Sequence, residues 1–241
     1  MTQGPDLFEV IDATWPAASQ HSVGAFLVRE GQGGGKRVSS ASAVAPWSEP
    51  DIDAAIAAHS RLGQPALFMI RAGEDALDAA LAARGFAVID PVAVLTAPVA
   101  KLATQRPPPI TAFCLWPPLA IMRDLWVEEG VGPGRQAVME RAPAPKCAVL
   151  GRVADRAAGV GFVSIHRGVA MMHGFHVLPA LRRKGLARHM LHEAAYWANE
   201  NGAKTLSLVV LRENAAALAL YLGTGLTEVQ GYHYRLAPDA V

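Results

Sequence analysis

The hydrophobic pattern of this chain changes period at Pro179, and that change limits the folds open to it. Before it, Cys147–Val153, Gly159–Ile165 and Val169–Leu178 are three strand-like runs, joined by Ala154-Asp155-Arg156 and by a turn at Arg167-Gly168. Runs this short and this closely spaced predict an antiparallel meander. After it, Leu181, Leu186, Met190, Leu191, Ala194, Ala195 and Ala198 recur at helical spacing. They predict one long helix over 182–199, stopped at Asn201-Gly202. Thr205–Leu211 then predicts a buried strand, Glu213–Leu222 a helix and Thr227–Leu236 a last strand. Strand, helix, strand, helix, strand after a meander describes a mixed α/β sheet (α+β) with one parallel crossover.

Upstream, Lys101–Pro109 ends in Gln105-Arg106-Pro107-Pro108-Pro109. Consecutive prolines join neither a helix nor a central strand and favour a stiff extended spacer, so a linker is expected over 101–109. It divides an N-terminal domain, 1–100, from a C-terminal domain, 110–241. In the latter, Ile110–Leu115 predicts a strand, and Leu119, Met122, Leu125 and Trp126 a helix to Glu129. Gly130-Val131-Gly132-Pro133-Gly134 ends it, and a shorter helix follows to about Arg141.

A chain that is 51% hydrophobic and 18% charged can bury a core and is not disordered. Its net charge of +1 supplies no general field for nucleic acid or membrane. Cys114 and Cys147 are isolated, with neither metal-type spacing nor a disulfide framework, and read as reduced thiols. No metal is expected. No run approaches the roughly 18 apolar residues of a membrane span, and no basic-then-apolar leader opens the chain. A cytoplasmic protein is the expectation. Nothing fixes the oligomeric state, and a homodimer stays open.

The N-terminal half repeats the ending of the C-terminal half in faded form. Ala66–Arg71, a helix and Arg84–Ile89 line up without a gap against Leu206–Arg212 and Thr224-Gly225-Leu226. Further upstream Lys36–Val44 ends in Ala45-Pro46, much as His176-Val177 ends in Leu178-Pro179. Such self-similarity suggests an internal duplication. Gly31-Gln32-Gly33-Gly34-Gly35-Lys36 lies between two strand candidates and reads as a hairpin loop.

The segment Val177–Arg188 carries the chemistry. A strand ends at a proline, and a helix opens with Gly185 and Ala187 in its first turn. Unpaired N–H groups and the dipole at such a helix start make an anion site. Gly185 and Ala187 are small enough for a diphosphate to reach the backbone, while Arg182, Arg183, Lys184 and Arg188 add charge. Arg182-x-x-Gly185-x-Ala187 resembles the Gln/Arg-x-x-Gly-x-Gly/Ala signature of the GCN5-related N-acetyltransferases (GNAT). Phe175-His176-Val177-Leu178-Pro179 looks like that family's fourth strand. Asn214 to Tyr221 and then Gly225 looks like its closing Asn-x-x-Ala-x-x-x-Tyr-x-x-x-Gly pattern. The resemblance spans Ile110 to the end of the chain.

What the resemblance implies is a tandem GNAT-like protein whose C-terminal domain moves an acetyl group from acetyl-CoA to an amine. The pyrophosphate would lie on the turn 182–188, Leu186 included. Backbone groups of Phe175, His176 and Val177 would line the acyl arm, and Asn214 would contact the cofactor. Tyr221 stands where the family often has a tyrosine that protonates the departing thiolate. His173 stands nine residues before the signature, where histone-modifying relatives have a glutamate base, and an imidazole suits that role. By strand alternation His173 and His176 face opposite ways. Glu128, Glu129 and Glu140 read as solvated surface carboxylates. The N-terminal copy has Leu81 aligned with Tyr221, Glu74 with Asn214, and no cofactor turn, which makes it degenerate. The expected acceptor is a small-molecule or peptide amine. A non-catalytic acyl-CoA sensor or partner-binding module is the alternative.

Overall fold

The computed structural model describes residues 5–238. In chain order the first elements are α1 (Leu7–Thr14), β1 (Ser19–Val23), β2 (Phe26–Glu30), β3 (Ala41–Ala43), α2 (Glu49–Arg61), β4 (Leu67–Arg71), α3 (Asp75–Ala83), β5 (Ala87–Pro98) and α4 (Val99–Leu102). There follow β6 (Ala112–Leu115), α5 (Ala120–Glu128), α6 (Pro133–Arg141), β7 (Lys146–Val153), β8 (Arg156–His166) and β9 (Val169–Val177). The chain closes with α7 (Leu186–Glu200), β10 (Thr205–Leu211), α8 (Ala215–Gly223) and β11 (Thr227–Leu236). Short 3-10 turns lie at Lys36–Val38 and Pro179–Leu181.

Two compact units form, and neither is one continuous stretch. The first takes the chain up to Pro16, Val94–Val210 and Ala215–Val229; the second takes Ala17–Ala93, Leu211–Asn214 and Gln230 onward. The boundaries Ala93/Val94 and Val229/Gln230 fall inside β5 and β11. Residues 101–109, expected as a spacer between domains 1–100 and 110–241, lie inside the first unit. Prolines stiffen a loop there, and its two ends belong to one packed body.

In the second unit the strand order is β1-β2-β3-β4-β11. β3 runs parallel to β4, and β11 antiparallel to β4 from Tyr232↔Arg71 to Leu236↔Leu67. Its core centres on Phe68, which meets Phe26 and Phe86 edge-on at 5.4 and 5.7 Å between ring centres. Such contacts add to apolar burial. The glycine-rich run leads from β2 into the 3-10 turn and on to β3, and β2 and β3 pair antiparallel.

The first unit holds the expected meander, β6-β7-β8-β9 antiparallel, with β10 joined parallel to β9. Helix α7 lies close against one face because Gly151 and Gly159 carry no side chain. A Cβ there would come within 2.6 and 2.7 Å of Met190 Sδ. The opposite face carries α1, whose following residue Trp15 meets Phe162 of β8 at 6.2 Å. Glycine-free packing would push α7 outward and open a void, which cores tolerate poorly. The long helix starts at Leu186 and not at Arg182 as the pattern suggested. Arg and Lys are good helix formers, so propensity extended the expectation through residues that form a turn.

Candidate active site

Geometry at the start of α7 is that of an anion site. Arg182 is extended, and Arg183 (φ 63°) and Gly185 (φ 78°) are both left-handed. That conformation is natural for glycine and costly for arginine, so the turn holds its shape at an energetic cost that such sites often carry. No side chain caps the helix, and its first return bonds to Gly185 O come from the N–H groups of Arg188 and His189. The N–H groups of Leu186 and Ala187 therefore point outward without a helical partner. Arg183, Lys184 and Arg188 are exposed around them. Arg182 is used differently: its Nε donates to Val177 O at 2.8 Å.

The strand that feeds this turn parts from its neighbour. Parallel pairing of β9 with β10 runs from Val169↔Thr205 to Met172↔Leu208 and ends there, although β9 continues to Val177. The ladder therefore leaves a gap in pairing beside His173–Val177. The other edge of β9 carries a bulge: Phe162 faces His173 and Val160 faces His176, so three steps on β9 match two on β8. Gly174, at φ 56°, absorbs the extra residue. Helix α5 clamps it, with Trp126 Nε1 donating to Gly174 O at 3.0 Å.

This bulge corrects the expectation that His173 and His176 face opposite ways. Val160 and Phe162 share a face of β8, and the register therefore turns both histidines to that face. Phe175 goes to the other side, where its ring lies over Gly161: a Cβ at Gly161 would sit 2.5 Å from it. An isolated glycine inside a strand run was the available signal.

His173 is buried, at 3% exposure, between Trp15 and Phe162 with ring centres 4.9 and 6.2 Å away. Thr14 Oγ1 lies 2.9 Å from its Nε2 and donates its own proton to Val10 O at 2.7 Å. The threonine therefore accepts, and His173 carries its proton on Nε2.

His176 stands nearer the opening, its side chain 31% exposed, and Glu129 is its neighbour. Glu129 Oε2 lies 3.6 Å from His176 Nδ1 and 3.3 Å from Arg182 Nη2, with the carboxylate side chain only 12% exposed. That overturns its reading as a solvated surface group. Glu129 caps the C-terminus of α5, where Gly130 (φ 79°) turns the chain and Gln136 donates to the carbonyls of Arg123 and Val131. A carboxylate at this helix end opposes the dipole, so its position is stabilised by the histidine and arginine and not by the helix. Burial lowers the His176 pKa; Glu129 opposes the shift, and Arg135 and Arg182 reinforce it. Nothing local in the sequence signals Glu129, because its partners lie 47 and 53 residues away. By contrast, Glu128 is exposed, and Glu140 pairs with Arg123 at the surface.

Tyr221, on α8, keeps partial exposure by area, yet protein crowds its hydroxyl and burial pushes it up to about 12. It keeps its proton throughout the neutral range. Asn214, the residue before α8, is exposed, and its N–H donates to Leu211 O at 3.0 Å. Among the described residues no group of three or more His, Cys, Asp or Glu is gathered to hold a metal ion. No helix among them is long and apolar enough to cross a membrane.

The chain is similar to known proteins. The family described as "Acetyltransferase (GNAT) family" matches residues 118–225, which include the α5–α6 region, the gap, the turn and Tyr221. An uncharacterized N-acetyltransferase of Bacillus subtilis, YobR, is 29% identical over 235 residues, covering 93% of this chain and 94% of its own. Among solved structures, a GCN5-related N-acetyltransferase from Kribbella flavida superposes with a TM-score of 0.71 at 18% identity, over 96% of this chain and 94% of that one. A tandem GNAT protein from the clavulanic acid biosynthesis pathway gives 0.61 at 12% identity, over 97% and 90%. Residues 118–225 match the acetyltransferase (GNAT) family, and the protein is an acetyltransferase.

Proposed function

We propose that the protein transfers an acetyl group from acetyl-CoA to an amine by direct attack, with both substrates bound together. The observation that carries this reading is the uncapped start of α7, with its left-handed Arg183 and Gly185, at the end of a strand that has parted from its neighbour. The outward N–H groups of Leu186 and Ala187 suit a diphosphate, with Arg183, Lys184 and Arg188 around it. The gap beside Phe175, His176 and Val177 suits the acyl arm, whose carbonyl oxygen a backbone N–H there would steady as negative charge develops. Tyr221 donates a proton to the departing thiolate, the role the family pattern gives it; a thiolate of ordinary pKa near 8.5 is already a fair leaving group. Asn214 belongs to the cofactor contacts on the strength of the family pattern. A primary amine on a small molecule or peptide is the acceptor class.

Calorimetric titration of the full chain with acetyl-CoA tests this. One site per chain is expected, abolished by Gly185→Glu, which sets a negative side chain where the diphosphate approaches. Two sites per chain, or undiminished binding by the variant, would refute the assignment.

A further inference from the structure

Resting on the acetyltransferase reading, we infer that His176, held by Glu129, is the group that takes the proton from the acceptor amine. The geometry comes from two separate features. The bulge at Gly174 turns the His176 ring to the face that carries α1 and α5, and the end of α5 brings Glu129 Oε2 to 3.6 Å from Nδ1. A carboxylate near Nδ1 favours the tautomer that has its proton there, which leaves the lone pair on Nε2 at the far side of the ring. Among the described residues no hydrogen bond engages Nε2. The imidazole is also the more exposed of the two groups, so an amine arriving from solvent meets it before it meets Glu129.

His173 is less suited to the role. Its Nε2 proton is committed to Thr14, and two aromatic side chains cover the ring. It braces the strand from within.

The charges around His176 fit a base. Glu129 at the end of α5 favours the imidazolium, while burial and the guanidinium groups of Arg135 on α6 and Arg182 after β9 disfavour it. The ring is therefore neutral at pH 7. Arg182 has a second effect: by pairing with Glu129 while its Nε holds Val177 O, it ties the carboxylate to the end of the splayed strand.

The step balances as follows. The amine nitrogen forms a bond to the thioester carbon, giving an adduct with a positive nitrogen and a negative oxygen. That N–H is far more acidic than a free ammonium, so an imidazole accepts its proton at Nε2, and Glu129 stabilises the imidazolium. The adduct collapses, the C–S bond breaks, and the thiolate takes a proton from Tyr221. Solvent then removes the proton from His176 and restores that of Tyr221, leaving amide and free thiol.

The test compares wild type, His176→Gln and Glu129→Gln as full chains. Thiol release from acetyl-CoA is followed with spermidine, tyramine, kanamycin and a free tripeptide, using the fastest amine. Acetyl-CoA affinity should stay within twofold in both variants, which establishes that they fold. His176→Gln should lower kcat about 10²- to 10³-fold and abolish the acid limb of its pH profile. Glu129→Gln, a positioning change, should lower kcat about tenfold and move that limb to lower pH, since the anion that favours the imidazolium is gone. The Cε1–H resonance of His176 should move the same way on titration. A kcat for His176→Gln within twofold of wild type, or a limb that does not move in Glu129→Gln, overturns the inference and leaves acetyl transfer standing. Release with no amine from an enzyme that binds acetyl-CoA refutes the acetyltransferase mechanism and this inference together.

Discussion

Gly161→Ala isolates the contact that sets the splayed end of β9. The position has ordinary backbone angles, so alanine carries no conformational penalty and any cost is steric. The new methyl would lie 2.5 Å from Phe175 Cδ2 and Cε2 and 2.7 Å from Cζ, well inside contact distance. Phe175 is only half-buried, so its ring can swing outward, which puts the cost in the lower part of the overpacking range, about 1–2 kcal/mol. For a chain of this size that is a fall in Tm of about 2–8 °C. Because Phe175 stands beside the gap, a displaced ring should also weaken acetyl-CoA binding several-fold. Thermal unfolding and calorimetry measure the two effects. Phe175→Leu in the same chain should remove most of the cost, giving a coupling of about 1 kcal/mol in a double-mutant cycle. If Gly161→Ala is neutral, or if the two changes add without coupling, the ring does not occupy that space and the account of the bulge fails.

Tyr221→Phe should lower kcat about 10²-fold with acetyl-CoA affinity nearly unchanged, as steady-state kinetics and calorimetry would establish. Since the hydroxyl is pushed up to about 12, wild-type kcat should show no falling limb from Tyr221 below pH 11. Asp78 accepts from Arg235 and lies 2.8 Å from His233, and these hydrogen bonds lower its pKa from 3.8 to about 2. A lowered carboxylate pKa stabilises the fold above the unfolded value and loses that effect as pH falls through about 2. The full shift is worth about 2.4 kcal/mol, and screening at a side chain 29% exposed leaves about 1. Asp78→Asn should thus lower Tm at pH 7, by an amount that shrinks from about pH 4 downward and is mostly gone by pH 2. A fragment of residues 106–241 should aggregate on size exclusion, because it lacks α1, Trp15 and the Val94–Pro98 end of β5, all parts of the first unit. A monodisperse, acetyl-CoA-binding fragment would refute that.

Elements whose signals are local were legible in the sequence. Thr205–Leu211 and Thr227–Leu236 begin and end where the apolar runs and their flanking turns put them. The meander and the α5–α6 pair followed likewise, because period and punctuation agree in those segments. What could not be read depended on register or on distant partners. Gly174 shifts one strand by one residue, and that single step reverses the side on which His176 lies. Glu129 looks like any surface glutamate until α5 is folded against β8 and β9. The division into units was harder still. Chain order suggests a cut at the prolines, while β5 and β11 each begin in one unit and end in the other.

We propose, finally, that the two halves descend from one duplicated module, and the repeat bears on Tyr221. Helices α3 and α8 are both nine residues long and open at Asp75 and Ala215, 140 positions apart. Both end on a left-handed glycine, Gly85 at φ 81° and Gly225 at φ 97°. The closing bonds match as well: Phe86 N–H donates to Leu81 O, and Leu226 N–H to Tyr221 O. At this shared position Leu81 is fully buried, a residue that fills a core. Tyr221 is not: it keeps partial exposure, although surrounding protein pushes its hydroxyl up to about 12. Packing alone would favour the leucine, which fills a core without a polar group to satisfy. The half that has the uncapped turn at the start of α7 is also the half that has the tyrosine. That pairing is what the proposed proton donor for acetyl transfer requires.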